Sequence, residues 1–446
     1  MKKNSTLFIL FILIVLFLSF WNIVSGGYDK QNKYTLFLKK FIPTEISRKI
    51  RDVIFIIPEL KTRNNILSLQ VAKYEQGLDG QLFEEKKFKI KNKNYYLKNF
   101  FLPFPRLDIK LGWAATENSK RAHYLEIIDD KVLLISGIGQ TIYFNKKNIL
   151  NKKLDQREIS NNINSKILKE NNYDLIGIRD LFVQNNKVYI SLQFKNKNGF
   201  SINLYRADLN YSNLNFELFF ETNEYWPDYN VFSGGRIEKF KDNKILFSTG
   251  YADVKNSAQD SKSLLGKIIS IDTNSGRYEL VSLGHRNPQG LFFEEEIGLI
   301  INTEHGPKGG DEINFNFIEK GKINNFGWNI SSYGTAYDGT DPYKKSHKEY
   351  GFVEPFKHYT PAIGISEIIY LNKKISPSKK NTLFVSSLRA ASIYEIELDK
   401  DLKKILSERR VYFGSERIRD IEYDQENDVI LILFEMTPSI GVLSFK

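Results

Sequence analysis

The residues between 303 and 312 combine turn formers with acidic side chains in a pattern that suits a hard cation. Gly306 permits backbone conformations that other residues avoid, and Pro307 fixes its own φ angle. A rigid turn of this kind can direct carbonyl oxygens at a cation, and Asp311 and Glu312 can add carboxylates. Hard cations prefer such oxygen ligands, so the segment predicts a site for a hard cation. The alternative is a polar turn that holds no metal.

A second polar segment, GHRNPQG at 284–290, comes directly before the short apolar run 291–293. Another apolar run, 297–301, follows before the turn described above. Two short apolar runs separated by polar residues predict two antiparallel strands. Both polar segments therefore lie at strand ends, where the loops of an all-β fold carry binding and catalytic residues.

Short β-rich runs recur along the chain, and most of them follow a polar turn. The runs are VLLIS at 132–136, VYISL at 188–192, ILFS at 245–248, LII at 299–301, LFVS at 383–386 and VILIL at 429–433. Their average separation of roughly 60 residues is enough for one four-stranded sheet per unit. The pattern predicts an all-β fold, a six-bladed β-propeller that extends from about residue 105 to 446.

Three motifs taken together resemble the glucose/sorbosone dehydrogenase family. The chain matches the family pattern GHRNxQGL at 284–291 and the pattern EHGPxGGDE at 304–312. The family pattern NYGW corresponds to NFGW at 325–328. The resemblance covers about residues 170–440. Members of that family are six-bladed β-propellers that oxidise aldose sugars with pyrroloquinoline quinone (PQQ) and calcium. The resemblance therefore implies a propeller that acts on a small-molecule sugar or a polysaccharide.

The resemblance also implies a PQQ site built from basic and amide side chains. The carboxylates of PQQ are anionic, and arginine suits bidentate contacts with carboxylates. Taken singly, each arginine could equally be a surface or strand-end residue. The positions that match the family's quinone contacts are Arg286, Asn287, Arg389, Arg417 and Arg419.

Two calcium positions follow from the same resemblance. Gly306 and Pro307 would supply backbone carbonyl oxygens to a calcium ion that touches the quinone, with Asp311 nearby. Glu312 and the carbonyl of Phe326 resemble a second, structural calcium site.

The proton-accepting position departs from the family pattern. The family has a histidine two residues before a Gly-Gly-Arg turn, and here Phe232 takes that place before Gly234. A phenylalanine ring cannot accept a proton, so the usual base is absent. The chain is then a divergent PQQ-dependent aldose sugar dehydrogenase-like oxidoreductase. The alternatives are a catalytically inactive exported propeller that binds a carbohydrate or protein partner, and a structural envelope protein with an empty funnel.

Composition excludes some classes of protein and partner. The chain has no cysteine, which excludes disulfides, thiolate metal sites and a cysteine nucleophile. The net charge of +11 is spread along the chain without a single basic block, so no nucleic-acid partner is predicted. The sequence gives no indication of the oligomeric state.

The N-terminal region predicts export. Lys2 and Lys3 precede a largely apolar stretch, 7–24, which is just long enough to span a bilayer. Residues 1–27 are predicted to be a signal anchor or a signal peptide, and 28–104 a helical stalk and lead-in to the propeller. The body would then be periplasmic or extracytoplasmic and tethered to the inner membrane, because positive residues stay on the cytoplasmic side.

Overall fold

The computed structural model describes residues 64, 67–69, 71–90, 93–105, 120–229, 231–414 and 416–445, and these are folded mainly as β-strands. The strands are β1 (Leu82–Ile90), β2 (Lys93–Phe101), β3 (His123–Ile128), β4 (Lys131–Ser136), β5 (Thr141–Asn145), β6 (Arg157–Asn161), β7 (Asp174–Gln184), β8 (Lys187–Asn196), β9 (Gly199–Asp208), β10 (Asn213–Leu214), β11 (Glu217–Glu221), β12 (Gly234–Lys239), β13 (Lys244–Thr249), β14 (Lys267–Asp272), β15 (Tyr278–Leu283), β16 (Pro288–Glu294), β17 (Leu299–Glu304), β18 (Asp311–Phe317), β19 (Asn324–Asn325), β20 (Lys357–Tyr359), β21 (Ile365–Leu371), β22 (Asn381–Ser387), β23 (Ser392–Leu398), β24 (Ile405–Phe413), β25 (Ile418–Asp424), β26 (Val429–Phe434) and β27 (Ser439–Phe445).

Helical segments are short in the described part of the chain. They are the 3-10 helices Lys146–Leu150, Ser257–Gln259 and Lys348–Tyr350, the π-helix Ile163–Leu168, the α-helical turn Lys169–Asn171 and a helix over residues 71–76.

The described strands form six sheets of four or five strands each. From the centre outward the sheets begin β25-β26-β27-β2, β3-β4-β5-β6, β7-β8-β9-β11, β12-β13-β14-β15, β16-β17-β18-β20 and β21-β22-β23-β24. The innermost strand of each sheet contacts that of the next, and β25 contacts β3, which closes the ring. The fold is therefore a six-bladed β-propeller, which confirms the predicted fold class.

The six apolar runs found in the sequence are the second strands of the six blades, namely β4, β8, β13, β17, β22 and β26. Each blade packs between two neighbours, so its middle strands are covered on both faces. All six residues of β26, for example, are buried. Continuous apolar runs rather than alternating ones are the expected pattern for strands buried on both faces.

The last blade is closed by strands from both ends of the propeller. Strand β2 pairs with β27 from Tyr95 opposite Phe445 to Phe101 opposite Ser439. The propeller therefore starts before residue 105, where the sequence placed its boundary. The edge strand β1 was not predicted because five residues of its sequence, LFEEKKFKI, are charged and none is buried, as is common for edge strands.

The predicted membrane segment at 1–27 and most of the predicted stalk lie outside the described residues. Within the described residues, no helix is long and apolar enough to cross a membrane.

The centre of the ring is held by an arginine surrounded by acidic side chains. Arg236 on β12 pairs with Asp180 at 2.6 Å, Glu367 at 2.5 Å and Asp420 at 3.0 Å, all of them buried. Each carboxylate also accepts a backbone N–H from a neighbouring blade: Ile237 for Asp180, Leu291 for Glu367 and Leu125 for Asp420. These contacts join the inner strands around a central cavity of about 270 Å³.

Candidate active site

The turn between β17 and β18 has the close-packed geometry that its glycines predict. A Cβ atom on Gly306 would lie 2.1 Å from the carbonyl oxygen of Gly310. Gly310 has a φ of +73°, and a Cβ there would lie 2.3 Å from the nitrogen of Gly334. Substituting either glycine would therefore force the turn open.

Asp311 holds this turn against the next blade. Its Oδ1 accepts the N–H of Gly306 at 3.1 Å, and its Oδ2 accepts those of Gly364 at 2.7 Å and Ile365 at 3.0 Å. The carboxylate predicted to lie near a calcium is thus engaged by three backbone groups. By contrast, no hydrogen bond between described residues reaches the carbonyl oxygens of Gly306 and Pro307, which leaves both predicted backbone ligands available to a cation.

The second predicted calcium position, at Glu312 and Phe326, has a histidine inside it. Nδ1 of His347 donates to the carbonyl oxygen of Phe326 at 3.0 Å, so the predicted oxygen ligand is engaged by an imidazole. Nε2 of the same ring lies 3.5 Å from Oε1 of Glu312. Burial and then the neighbouring Glu304 raise the pKa of Glu312 well above its ordinary value, while burial lowers the pKa of His347.

Arg286 lies among aromatic rings. Its guanidinium carbon is 4.3 Å from the ring centre of Phe232, 5.1 Å from that of Trp328 and 5.9 Å from that of Tyr251. Nη1 donates to the carbonyl oxygen of His305 at 2.9 Å. The structure therefore places Phe232 directly on the arginine predicted to contact the quinone.

Asn287 joins the Phe232 turn to the same group. Its Oδ1 accepts the N–H of Gly234 at 3.2 Å, and it is 1% exposed. The predicted residues Phe232, Arg286 and Asn287 are thus neighbours, although they come from two different blades.

Arg417 and Arg419 lie at the start of β25 and share one carboxylate. Arg417 donates to Oε2 of Glu435 and Arg419 to Oε1, each at 2.6 Å, and Arg121 lies 3.3 Å from the same Oε2. Nη1 of Arg419 also donates to Gln289 at 2.7 Å. Three guanidinium groups thus face one carboxylate, which leaves a net positive charge.

Two buried arginines each have an Nε–H donor without a hydrogen-bond partner among the described residues. The Nε atoms of Arg286 and Arg179 have no hydrogen-bond partner among the described residues, and the two side chains are 3% and 6% exposed. Buried donors are normally paired, so unpaired guanidinium N–H groups call for an acceptor. An anion such as a carboxylate fits this requirement.

Arg389 differs from the other predicted quinone contacts because its side chain is exposed. It lies on the loop after β22, and its backbone N–H donates to the carbonyl oxygen of Ile363 at 3.1 Å. It therefore lies beside Gly364, which Asp311 ties to the Gly306 turn.

His305 is a poor substitute for the missing base. Its Nε2 donates to the carbonyl oxygen of Ile365 at 2.5 Å. Burial, followed by the guanidinium groups of Arg419 and Arg286, lowers the pKa of His305 to about 3. The ring is neutral near pH 7 and holds an added proton only weakly.

The arginine cluster makes a testable prediction about pH. Burial alone would raise the pKa of Glu435, but Arg419, Arg417 and Arg121 outweigh it and hold that pKa below its ordinary value. A lowered folded-state pKa stabilises the protein above the unfolded pKa of about 4.3, and the contribution is lost as the pH falls through the folded pKa.

Glu435→Gln should therefore lower the free energy of unfolding by about 1.5–3 kcal/mol at pH 7, the value of hydrogen bonds to charged groups. The difference from the wild type should narrow as the pH falls below about 4, because Glu435 of the unfolded wild type then binds a proton that the folded protein does not, which favours unfolding. Urea unfolding of the wild type and of the variant at pH 7 and below pH 4 measures the two differences in free energy of unfolding. A difference that stays constant with pH would refute the assignment of a negative charge to folded Glu435.

The family model described as "Glucose / Sorbosone dehydrogenase" matches residues 173–439. The chain belongs to the glucose/sorbosone dehydrogenase family. The match covers the blades that carry Phe232, Arg286 and Glu312.

Individual members of the glucose/sorbosone dehydrogenase family are distant from this chain. Aldose sugar dehydrogenase YliI of Escherichia coli is 28% identical over 203 residues, which is 42% of this chain and 53% of the relative. Quinoprotein glucose dehydrogenase B of Acinetobacter calcoaceticus is 26% identical over 290 residues, which is 46% of this chain and 59% of the relative. The chain thus spans little more than half the length of these two relatives.

The solved apo structure of the soluble aldose sugar dehydrogenase of Escherichia coli superposes with a TM-score of 0.59. It is 20% identical, and the superposition covers 73% of this chain and 97% of that structure. At this identity the likeness concerns the fold.

Sequence analysis assigned no role to six further residues around the predicted site. They are Arg121, Arg179, Tyr251, Trp328, His347 and Glu435. Trp328 stood inside a recognised motif, and its neighbour Tyr251, at 5.2 Å between ring centres, lies two residues after the end of β13. Arg179 and Glu435 carried no local signal, because only the closed ring brings them together.

Proposed function

We propose that this propeller is a PQQ-dependent aldose sugar dehydrogenase-like protein that retains an anion site for the quinone but lacks the usual proton acceptor. The observation that carries the proposal is the group of arginines described above, in which the ring of Phe232 packs against the guanidinium group of Arg286. The names of the relatives, aldose sugar dehydrogenase and quinoprotein glucose dehydrogenase, support the same class of cofactor and substrate.

The basic side chains would hold the quinone carboxylates. Arg286 and Arg179 each have a buried N–H group without a hydrogen-bond partner among the described residues. The three positive charges of Arg417, Arg419 and Arg121 exceed the one negative charge of Glu435. Arg389, which is exposed, would add a further positive charge. When bound, PQQ supplies a two-electron acceptor for hydride from an aldose.

Calcium would bind at the Gly306–Pro307 turn. No hydrogen bond from a described residue reaches the two carbonyl oxygens, and Asp311 fixes the turn by accepting three backbone N–H groups. Hard oxygen ligands of this kind suit calcium.

Phe232 would limit the reaction at the proton transfer. In the family, the side chain at this position accepts the proton of the sugar hydroxyl, and a phenyl ring cannot. The protein is then expected to bind the cofactor and to oxidise aldoses poorly.

Arg286→Leu tests the anion site. Titration with PQQ in the presence of calcium, followed by absorbance, should show a 10- to 100-fold weaker affinity than the wild type, because a charge-assisted hydrogen bond of about 1.5–3 kcal/mol is lost. Arg277→Leu is the matched control, since Arg277 lies at the exposed turn between β14 and β15. Equal affinities for both variants would refute the role of Arg286.

A second candidate function is sugar binding without oxidation. The rings of Phe232, Tyr251, Trp328 and Tyr343 are close neighbours, with Trp328 and Tyr343 5.1 Å apart. Tyrosine and tryptophan side chains combine an apolar ring face with a polar O–H or N–H group, as sugar binding requires. Sugar binding in the absence of PQQ, weakened by Trp328→Ala, would favour this function over the first.

We also propose that the body is exported and tethered to the inner membrane by residues 7–24, as the charge pattern of the N-terminus predicts. Protease added to spheroplasts should digest the propeller. Its survival would place the propeller on the cytoplasmic side.

A further inference from the structure

Arg179 is a buried arginine without a counter-charge. It is 6% exposed, and neither a hydrogen bond nor an ion pair joins its guanidinium group to a described residue. The next residue, Asp180, pairs with Arg236, and the carboxylate of Glu435 is shared by three other arginines. Burial lowers the pKa of Arg179, because water no longer stabilises the charge. A buried charge is normally paired, so this guanidinium group calls for an anionic ligand.

A β-bulge sets the position of Arg179. Strand β7 pairs with β8 on both sides of Arg179 and leaves it as the extra residue of the bulge. Arg419 on β25 and Gln289 on β16 are also extra residues of bulges, and they hydrogen-bond to each other at 2.7 Å. Bulges often direct a side chain toward an active site. The position of Arg179 in its strand therefore corresponds to that of Arg419, a predicted quinone contact, whose charge also lowers the pKa of Arg179.

Arg179 also lies beside the turn that follows Phe232. A Cβ atom on Gly235 would lie 2.5 Å from Cβ of Arg179, so only a glycine lets the two inner strands approach this closely. The preceding residue of that turn, Gly234, donates its N–H to Asn287 at 3.2 Å. An anion bound by Arg179 would thus lie near position 232, where the family's base accepts the proton of the sugar.

The quinone does not account for Arg179. The resemblance assigns the quinone carboxylates to other arginines, namely Arg286, Arg389, Arg417 and Arg419. A neutral sugar in the same site would leave the charge of Arg179 buried and unpaired. A sugar that carries a carboxylate or a phosphate would pair with it, because the planar guanidinium group binds both kinds of anion through two parallel hydrogen bonds.

We propose that the substrate is an anionic aldose, such as a uronic acid or a sugar phosphate, and that Arg179 binds its anionic group. The proposal rests on the proposed function, because it places the sugar in the same site as the quinone. It also divides the basic side chains between two ligands: Arg179 holds the sugar, and the other arginines hold the quinone.

The test is sugar binding to the protein loaded with PQQ and calcium, measured by isothermal titration. Glucuronate should bind at least about 10-fold more tightly than glucose, because only the charged sugar pairs with the buried guanidinium group. The neutral methyl ester of glucuronate should bind as weakly as glucose. This comparison uses the wild type alone, so it stays decisive if a variant fails to fold. Glucose 6-phosphate, titrated in parallel, distinguishes a phosphate from a carboxylate ligand, and a preference for either supports the proposal.

Arg179→Met should lower the affinity for glucuronate about 10-fold and the affinity for PQQ far less. Arg179→Lys should recover part of the preference for glucuronate, because it keeps the charge without the planar pair of donors. Arg157→Met is the matched control, since Arg157 is exposed on β6 and its loss removes the same charge from the surface.

Two results would overturn the proposal. One is equal binding of glucuronate and its methyl ester, with no preference for glucose 6-phosphate over glucose. The other is a fall in PQQ affinity that exceeds the fall in glucuronate affinity in Arg179→Met, because Arg179 would then bind the quinone. Failure of the wild type to retain PQQ would refute the proposed function instead. The same titrations on the quinone-free protein would then decide, by the same criteria, whether Arg179 binds an anionic sugar.

Discussion

Replacing Phe232 with histidine is expected to raise aldose-dependent dye reduction by the PQQ-loaded protein by about 10²- to 10⁴-fold, the usual contribution of a general base. The phenyl ring lies 4.3 Å from the guanidinium carbon of Arg286, beside the Asn287 contact to Gly234. A histidine of similar size would place a proton acceptor next to the predicted quinone contacts. Steady-state rates with a range of aldoses measure the effect.

Phe232→Leu is the control for this change, because it removes the ring without adding a base. It should leave the low rate of the parent protein unchanged. High activity in the parent protein would mean that another residue accepts the proton. Equal rates in the leucine and histidine variants, with PQQ bound to both, would mean that the missing base does not limit the reaction.

Arg236→Met is expected to lower the free energy of unfolding by about 3–5 kcal/mol, because it leaves three buried carboxylates without their counter-charge. Asp180, Glu367 and Asp420 all pair with this guanidinium and come from three different blades. The loss should therefore weaken the closure of the ring itself. Urea unfolding followed by tryptophan fluorescence measures it.

Lys374→Met is the matched control. Lys374 pairs with Glu296 on the surface, where the two side chains are 64% and 61% exposed, so its loss should cost no more than about 1 kcal/mol. A similar cost for both variants would contradict the central role of Arg236.

The deficit of Arg236→Met should also shrink as the pH falls below 7. Burial already raises the pKa of Asp180 and of Glu367 above their ordinary values, and loss of the guanidinium would raise both further. Protonation at lower pH then removes the penalty. A pH-independent deficit would indicate lost packing rather than unpaired charge.

The fold could be predicted because its strongest signal is repeated. The second strand of each blade is buried on both faces and reads as an apolar run, as in VILILF of β26. Strand β1 gave no such signal, because an exposed edge strand tolerates the charges in EEKKFK. The boundary at residue 105 was wrong for that reason.

The candidate site could be predicted only where its residues stand in segments that match the family's motifs. Arg286, Asn287 and the Gly306–Pro307 turn stand in two motifs that flank one hairpin. Arg179 and Glu435 lie far from those motifs along the chain. No local pattern showed that His347 would donate to Phe326 rather than lie in a surface loop.

The most direct test of the account is the absorbance of PQQ on the purified protein before and after an aldose is added. The protein is loaded with PQQ and calcium, desalted and mixed with the sugar, with Phe232→His treated in parallel. We expect about one quinone retained per chain, slow bleaching in the wild type and fast bleaching in the variant. Loss of the quinone on desalting, or fast bleaching in the wild type, would contradict a retained anion site without its base.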